Sequence, residues 1–189
     1  MLGSIASRRA TRSATRVPLP SLESRFSFPS MYARALFLFL HLLGIVLWLG
    51  LVFCLSLVTA NAARREDPNV IAFAYRAAHR LLRSLGTAGV LLTLAGGVGL
   101  TVVMDYAFFR PFPNHWLFQM QVLGFIAAAV ALFYQLPVAG RLARVAEEWA
   151  RAGVKPDGFA ALKRQSAIAG SVIGIVLIVL IGLGAFRVP

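Results

Sequence analysis

His41 is the residue whose type and position most clearly point to chemistry in this sequence. It lies about six residues into a stretch without charged side chains that begins at Ala35. An ionisable side chain is costly in lipid and, where it occurs, usually has a function. Gly44 and Trp48 follow at spacings of three and seven residues, so the three residues share one helix face. Two roles stay open for His41: a hydrogen-bonding partner inside a helix bundle, or an axial ligand of haem or of a metal ion.

The structural role would place His41 in a polar cluster near one membrane surface. Thr101, Gln119 and Gln121 are expected at a comparable level on the second and third apolar stretches. Their hydroxyl and amide groups could satisfy the imidazole by hydrogen bonds, as buried polar groups require. The predicted cluster therefore comprises His41, Trp48, Thr101, Gln119 and Gln121.

The alternative role is as a ligand of haem b, the one cofactor that the sequence leaves open. A haem between helices usually has two axial ligands, commonly histidines at compatible depth. His115 is expected at the membrane surface on the same side, and His79 near the opposite surface. Neither pairs well with His41, so a single axial imidazole would hold the iron. The first expectation is that no cofactor binds, and haem b at His41 is the second.

Other kinds of site find little support in the sequence. The single cysteine, Cys54, excludes a disulfide within the chain, and no group of ligands has the spacing of a metal site. Glu147 and Glu148 lie between Arg144 and Arg151, at the i,i+3 and i,i+4 spacings of ion pairs on a helix surface. We therefore predict neither a catalytic residue nor a metal site.

Four long apolar stretches are the elements that must position these residues. Of the 189 residues 59% are hydrophobic and 14% charged, whereas soluble domains carry about 25% charged residues. Each stretch has the roughly 20 residues that a helix needs to cross the hydrocarbon core, and a helix satisfies its own backbone there. We predict an all-α polytopic membrane protein, a four-transmembrane-helix bundle with spans at about residues 35–60, 84–104, 116–136 and 165–186.

Two of these helices are expected to continue beyond the membrane as extensions. Asp67 followed by Pro68 is typical of a helix start, and the segment after it leads directly into the second span. The third helix is expected to run past its span to Gly153, with a turn over residues 155–158 before the fourth helix. Both extensions are rich in arginine and are predicted to be cytoplasmic.

Small residues at helical spacing on two of the spans predict close helix packing. In lipid, such stripes let helix backbones approach each other. Packing within the chain is the first interpretation, and a dimer interface is the second. The stripes comprise Gly89, Thr93 and Gly97 on the second span, and Gly170, Gly174 and Gly182 on the fourth.

Residues 1–33 are predicted to form an Arg- and Ser-rich N-terminal arm, and residues 34–189 the transmembrane domain. The arm has one acidic residue, Glu23, and lacks the apolar core of a secretory signal. A disordered tail is one interpretation, and docking onto a partner is the other, through Arg8, Arg9, Arg12, Arg16 and Arg25. The net charge of +12 comes from basic residues flanking apolar stretches, which predicts contact with lipid headgroups and not with nucleic acid.

Part of the sequence resembles a known group of bacterial membrane proteins. The segment is RALFLFLHLLGIVLWLGLVF, then a charged loop containing EDP, then HRLLRSLGTAGVLLTLAGGVGL. It is similar to the uncharacterised predicted integral membrane proteins related to the copper-resistance D domain, over about residues 31–189. They share the pattern His–x–x–Gly–x–x–x–Trp–x–Gly, here His41, Gly44, Trp48 and Gly50. The resemblance implies a bacterial four-helix membrane protein to which residues 1–30 are an addition.

The same broader set includes the protoporphyrinogen oxidases with four or five helices. They pair a helix-one histidine with a helix-three lysine and are thought to bind haem. His41 matches the histidine, but helix three reads WLFQMQVLGF, with Gln119 and Gln121 and no lysine after Trp116. The resemblance therefore implies haem at His41, while the second residue of the oxidase pair is absent.

The distribution of lysine and arginine predicts the orientation in the membrane. Eleven of the 19 lie between spans one and two or between spans three and four, and eight lie on the other side. Because cytoplasmic loops carry the excess of positive charge, both termini are expected to be periplasmic. The predicted location is the bacterial inner membrane.

Three functional hypotheses follow. The first is a non-enzymatic accessory or structural subunit that docks onto a larger membrane complex, of respiratory or photosynthetic type, through the arm and the helix faces. The alternative is a haem-binding redox protein that uses His41. The third is transport of copper or another small solute, for which the sequence offers no midplane charge and no broken helix.

Overall fold

The computed structural model describes residues 28–110 and 115–186, and all regular secondary structure within them is helical. Helix α1 is Phe28–Arg64 and helix α4 is Phe159–Phe186. Helices α2 and α3 each contain a π-helical turn between two α-helical parts. Those of α2 are Pro68–Leu81, Leu82–Gly86 and Thr87–Val103, and those of α3 are His115–Ala129, Val130–Gln135 and Leu136–Ala152.

The four predicted spans are confirmed, because each lies within one helix that is long and apolar enough to cross a membrane. The shortest of the four, α4, has 28 residues, which at 1.5 Å per residue is about 42 Å. The hydrocarbon core is about 30 Å thick, so every helix can cross it and continue beyond. The fold is therefore all-α, with four candidate transmembrane helices.

The ends of the helices largely follow the predicted local signals. The Asp67 side chain accepts a hydrogen bond of 2.8 Å from the Asn69 backbone N–H, and Pro68 occupies the first helical position. Helix α3 ends at Ala152 and is capped by Gly153, whose φ of 71° is the left-handed conformation that glycine adopts without strain. Helix α1 begins at Phe28, before the domain boundary predicted at residue 33, and Pro29 lies in its first turn.

The extensions of α2 and α3 pack on each other and on the start of α4. Tyr75 and Trp149 both approach the Phe159 ring edge-on, with ring centroids 5.9 Å and 5.2 Å away. Burial raises the pKa of Tyr75, because the phenolate would lose its hydration. The buried residues of this smaller core are Ile71, Ala72, Tyr75, Leu142, Ala143, Ala146 and Phe159.

The main core lies between the membrane spans and is centred on Trp48. Along α1 the buried residues Trp48, Leu55 and Ala62 recur every seven residues. That spacing is typical of helices crossing at about 20°, as in most transmembrane bundles. All four helices contribute to this core, through Trp48, Val52, Val90, Ala127, Ala128, Ala131, Ile173 and Leu177.

Each π turn lies where a span meets its extension. In α3 the turn Val130–Gln135 precedes Pro137, which has no N–H to donate to a carbonyl of the preceding turn. In α2 the turn Leu82–Gly86 is followed by Thr87, whose hydroxyl donates to the Leu82 carbonyl at 3.3 Å. A π turn places one extra residue in the helix, so the face buried before it differs in register from the face buried after it.

Candidate functional site

His41 contacts the backbone of α2. Its Nδ1 lies 2.7 Å from the carbonyl oxygen of Thr93. Because a carbonyl only accepts hydrogen bonds, this geometry assigns the proton to Nδ1. In the neutral ring Nε2 is then the basic nitrogen. The contact joins α1 to α2 through a side chain that the hydrocarbon core would otherwise disfavour.

Glycines bring the two backbones together around His41. A Cβ on Gly96 would lie 2.5 Å from the His41 backbone nitrogen, and one on Gly97 would lie 3.2 Å from the ring carbon Cε1. On the opposite helix, a Cβ on Gly44 would collide with the Thr93 backbone nitrogen. We call this contact the α1–α2 seam, and its residues are Phe37, His41, Gly44 and Trp48 on α1, and Gly89, Thr93, Gly96, Gly97 and Gly99 on α2.

The polar cluster predicted around His41 does not form among the described residues. Thr101 donates to the Gly97 carbonyl of its own helix at 2.9 Å. Gln121 accepts from the Phe109 backbone N–H at 2.7 Å, and Gln119 is exposed.

Thr101 does not lie level with His41, because it is about 12 Å further along α2 than Thr93, the residue that His41 meets. Trp48 lies in the seam as a packing residue, 3% exposed, and no hydrogen bond links it to His41 in the part of the chain that the structure describes.

The predicted glycine stripes divide into packed and open positions. Gly89, Thr93 and Gly97 lie in the α1–α2 seam. On α4, a Cβ on Gly170 would lie 3.4 Å from Gln135 of α3, and one on Gly174 would lie 3.7 Å from Val52 of α1.

Two glycines with the predicted spacing lie outside the packed surfaces. No heavy atom of the described residues lies within 4 Å of where the Cβ of Gly182 would be. At that end of α4 it is Gly184 that faces α3, with Met120 3.3 Å from its Cβ position. Gly50, the last residue of the helix-one pattern, is likewise exposed with open space around it. The pattern is therefore a packing motif only from His41 to Trp48.

Gln135 is a buried polar residue that the sequence pattern did not predict. It is 7% exposed and ends the π turn of α3. Together with Trp48 and Gly86 it lines a small cavity between the two π turns. Its position at the edge of an apolar stretch does not indicate burial, because the π turn changes which face of α3 points toward the other helices.

A basic groove lies between the extensions of α2 and α3. The arginines of these segments contribute to the charge bias that predicts the orientation of the chain, but their positions in the sequence do not predict that they line one groove. The groove is lined by Arg76, His79, Arg80 and Arg83 on α2, and by Leu136, Pro137, Gly140, Arg141, Ala143, Arg144 and Glu147 on α3.

The basic groove also contains one acidic residue and one histidine. Glu147 is its single acid, and it pairs with Arg76 at 3.6 Å and with Arg151 at 3.5 Å. The His79 ring packs against Gly140, where an added Cβ would lie 3.0 Å from the ring carbon Cε1. The His79 Nδ1 is buried, and no hydrogen-bond partner for it lies among the described residues.

These features define a polytopic membrane protein whose spans are joined by a glycine seam and whose extensions form a basic groove. The chain belongs to the family of predicted integral membrane proteins DUF2269, whose model matches residues 35–188. No curated protein and no solved structure matches the chain. The residues predicted to dock a partner, Arg8, Arg9, Arg12, Arg16 and Arg25, lie outside the described residues.

Proposed function

We propose that the protein is a non-enzymatic accessory subunit of a larger membrane complex, of respiratory or photosynthetic type. The supporting observation is how little of α1 its own bundle covers. Only 17% of the most apolar part of α1 is buried, against 28% to 33% in the other three helices. Because the seam uses one side of α1, the rest of this helix is available to a neighbouring protein.

The open side of α1 has the character of a helix-packing surface. It presents a ridge of large apolar side chains, which we call the α1 ridge: Leu36, Phe39, Leu42, Val46, Phe53 and Leu57. Lipid or another apolar helix can cover such a ridge, and packing against a helix adds van der Waals contacts. The Arg-rich residues 1–27 precede the same helix, so the arm and the α1 ridge would bind a single partner together.

Photocrosslinking from α1 tests the proposed subunit role. A photoreactive amino acid at Phe39 or Phe53 is expected to yield one discrete higher-mass adduct in native membranes. The same group at Ile178, an exposed residue of α4, is the matched control and is expected to give only diffuse lipid adducts. Purification in mild detergent should show the chain migrating with the same partner. A lone monomer without adducts from α1 would contradict the proposal.

A haem-binding redox role is the second candidate, and the His41 hydrogen bond favours it. Donation from Nδ1 to a backbone carbonyl is the usual way in which a metal-binding imidazole is oriented with Nε2 free. The helix-one histidine of the protoporphyrinogen oxidases, which His41 matches in the sequence resemblance, points in the same direction. His41 fits one axial ligand, and haem bound there would supply electron transfer.

Two substitutions of His41 separate the packing role from the ligand role. His41→Asn keeps a donor near the position of Nδ1 but removes Nε2, whereas His41→Ala removes both. We expect His41→Ala to lower the free energy of unfolding by about 0.6–1.7 kcal/mol, the range for hydrogen bonds between transmembrane helices. His41→Asn should retain most of that stability.

The absorption spectrum completes the test. A haem ligand predicts a Soret band in the purified protein that both substitutions abolish. A protein without a Soret band after expression with sufficient haem would rule out the haem role. If His41→Asn were as unstable as His41→Ala, the hydrogen bond to Thr93 would not be the stabilising interaction.

The proposal also includes the predicted location, the bacterial inner membrane with both termini periplasmic. The extensions, with their arginines, would then face the cytoplasm, as the distribution of positive charge favours. A reporter that is active only in the periplasm, fused after Pro189, should be active. An inactive fusion at normal expression would reverse the orientation.

A further inference from the structure

We propose that the basic groove between the extensions of α2 and α3 binds the phosphate headgroup of an anionic phospholipid. The inference is independent of the subunit role and of haem. Neither of those functions depends on the basic groove.

The charge of the groove is strongly one-sided. Five arginines line it against one acid, Glu147, which already pairs with Arg76 and Arg151. No salt bridge within the described residues involves Arg80, Arg83, Arg141 or Arg144. Guanidinium groups repel one another, and each can bind a phosphate through two parallel hydrogen bonds. A bound phosphate group would therefore relieve the repulsion between the two helices.

His79 supplies an independent observation that points to a ligand. Its Nδ1 is buried without a hydrogen-bond partner among the described residues. A buried polar group that is left unsatisfied destabilises the fold. Gly140 leaves the space that the imidazole occupies beside the arginines. Because the His79 ring also lines the groove, turning the ring over would bring this nitrogen to a phosphate oxygen of the headgroup, which would accept its hydrogen bond.

The position of the groove favours a lipid over a soluble phosphate compound. Leu136 and Pro137 line it at the end of the third predicted span, and Arg83 directly precedes the second. Exposed apolar side chains continue from it toward the membrane, with Leu85 46% exposed and Phe133 80% exposed. A phospholipid can place its phosphate among the arginines and its acyl chains along these residues. Basic pockets at the ends of transmembrane helices commonly bind anionic lipids in this way.

Lipid retention by the full-length protein tests the assignment. The purified chain, in nanodiscs that contain phosphatidylglycerol or cardiolipin, is measured by native mass spectrometry and by binding of a fluorescent lipid analogue. The triple variant Arg80→Gln, Arg83→Gln and Arg141→Gln should bind the anionic lipid at least tenfold more weakly. The matched control is Arg64→Gln with Arg65→Gln, two exposed arginines at the end of α1, and it should change affinity less than twofold.

Each other outcome overturns the proposal. Equal loss in both variants would show general attraction to a charged surface, and no loss in either would show that the groove is not the site. Glycerol phosphate in solution is the second arm, and if it binds as tightly as the lipid, the ligand is a soluble phosphate compound. Should the triple variant fail to fold, the double variant Arg80→Gln with His79→Phe provides the same comparison.

Discussion

Gly96→Ala is expected to lower the free energy of unfolding by about 1–3 kcal/mol, the usual cost of overpacking a close contact. The new methyl group would lie 2.5 Å from the His41 backbone nitrogen and 2.7 Å from its Cα. Neither atom can move by a change of rotamer, so α1 and α2 must separate along the seam. Separation would also lengthen the hydrogen bond from His41 to Thr93, which is 2.7 Å at present.

Gly50→Ala is the matched control for that substitution. It adds the same methyl group to α1 at a position with nothing within 4 Å. Alanine is the better helix former by about 1 kcal/mol in water, so stability should be unchanged or slightly higher. Unfolding in a mixed micelle titrated with denaturing detergent measures both variants. Equal stability of the two would mean that α1 and α2 are not in backbone contact at Gly96.

Trp48→Ala should have the largest effect of any single truncation in the spans. Trp48 is 3% exposed and belongs to one buried cluster with Val90, Ala128 and Ile173 from the other three helices. Truncating a buried aromatic residue costs about 3–5 kcal/mol in soluble proteins. In lipid, little of this cost comes from transfer of the ring between water and an apolar environment, so we expect the lower end of that range. The remaining cost is the loss of van der Waals contacts between the indole ring and the residues around the new cavity.

Phe133→Ala is the control for truncation of an aromatic side chain. Phe133 lies in the π turn of α3 and is 80% exposed, so its ring packs against little of the protein. The Phe133→Ala variant should unfold at the same concentration of denaturing detergent as the unaltered protein. The Trp48→Ala variant should unfold at a clearly lower concentration. A stable Trp48→Ala variant would place the core of the bundle elsewhere.

These predictions follow from the contacts that the residues of the helix-one pattern make. His41, Gly44 and Trp48 all contact α2 or the shared core, so much of the pattern serves to hold helices together. The open face of α1 and the basic groove are the two surfaces to which we assign the proposed partner and the proposed lipid. One is apolar and lies within the membrane, and the other is charged and lies at its edge.

Local physical chemistry made several elements predictable. The four helices follow from the length of the apolar stretches, because a backbone in lipid has no water to bond and must form helix. Asp67 with Pro68 and Gly153 marked helix ends, since capping depends on residues within one turn. The pairing of Glu147 with Arg151 followed from their i,i+4 spacing on one helix.

Contacts between helices were not predictable in the same way. The cluster of His41 with Thr101, Gln119 and Gln121 was inferred from similar depth in the membrane, but depth does not determine which faces meet. His41 bonds instead to the Thr93 carbonyl, a backbone group that every residue type possesses and that leaves no trace in the sequence. Gly182 likewise has the spacing of a packing residue but faces away from α3.

The amino-acid sequence was sufficient to establish the class of protein, the number of helices, the helix ends named above and the presence of one histidine within a span. Three features required the folded chain: His41 joins α1 to α2, Gln135 is buried, and arginines from two helices line one groove. The physical reason is helix rotation. Each π turn adds one residue, which turns the following face by about 100°, so the inward side of an extension cannot be extrapolated from its span.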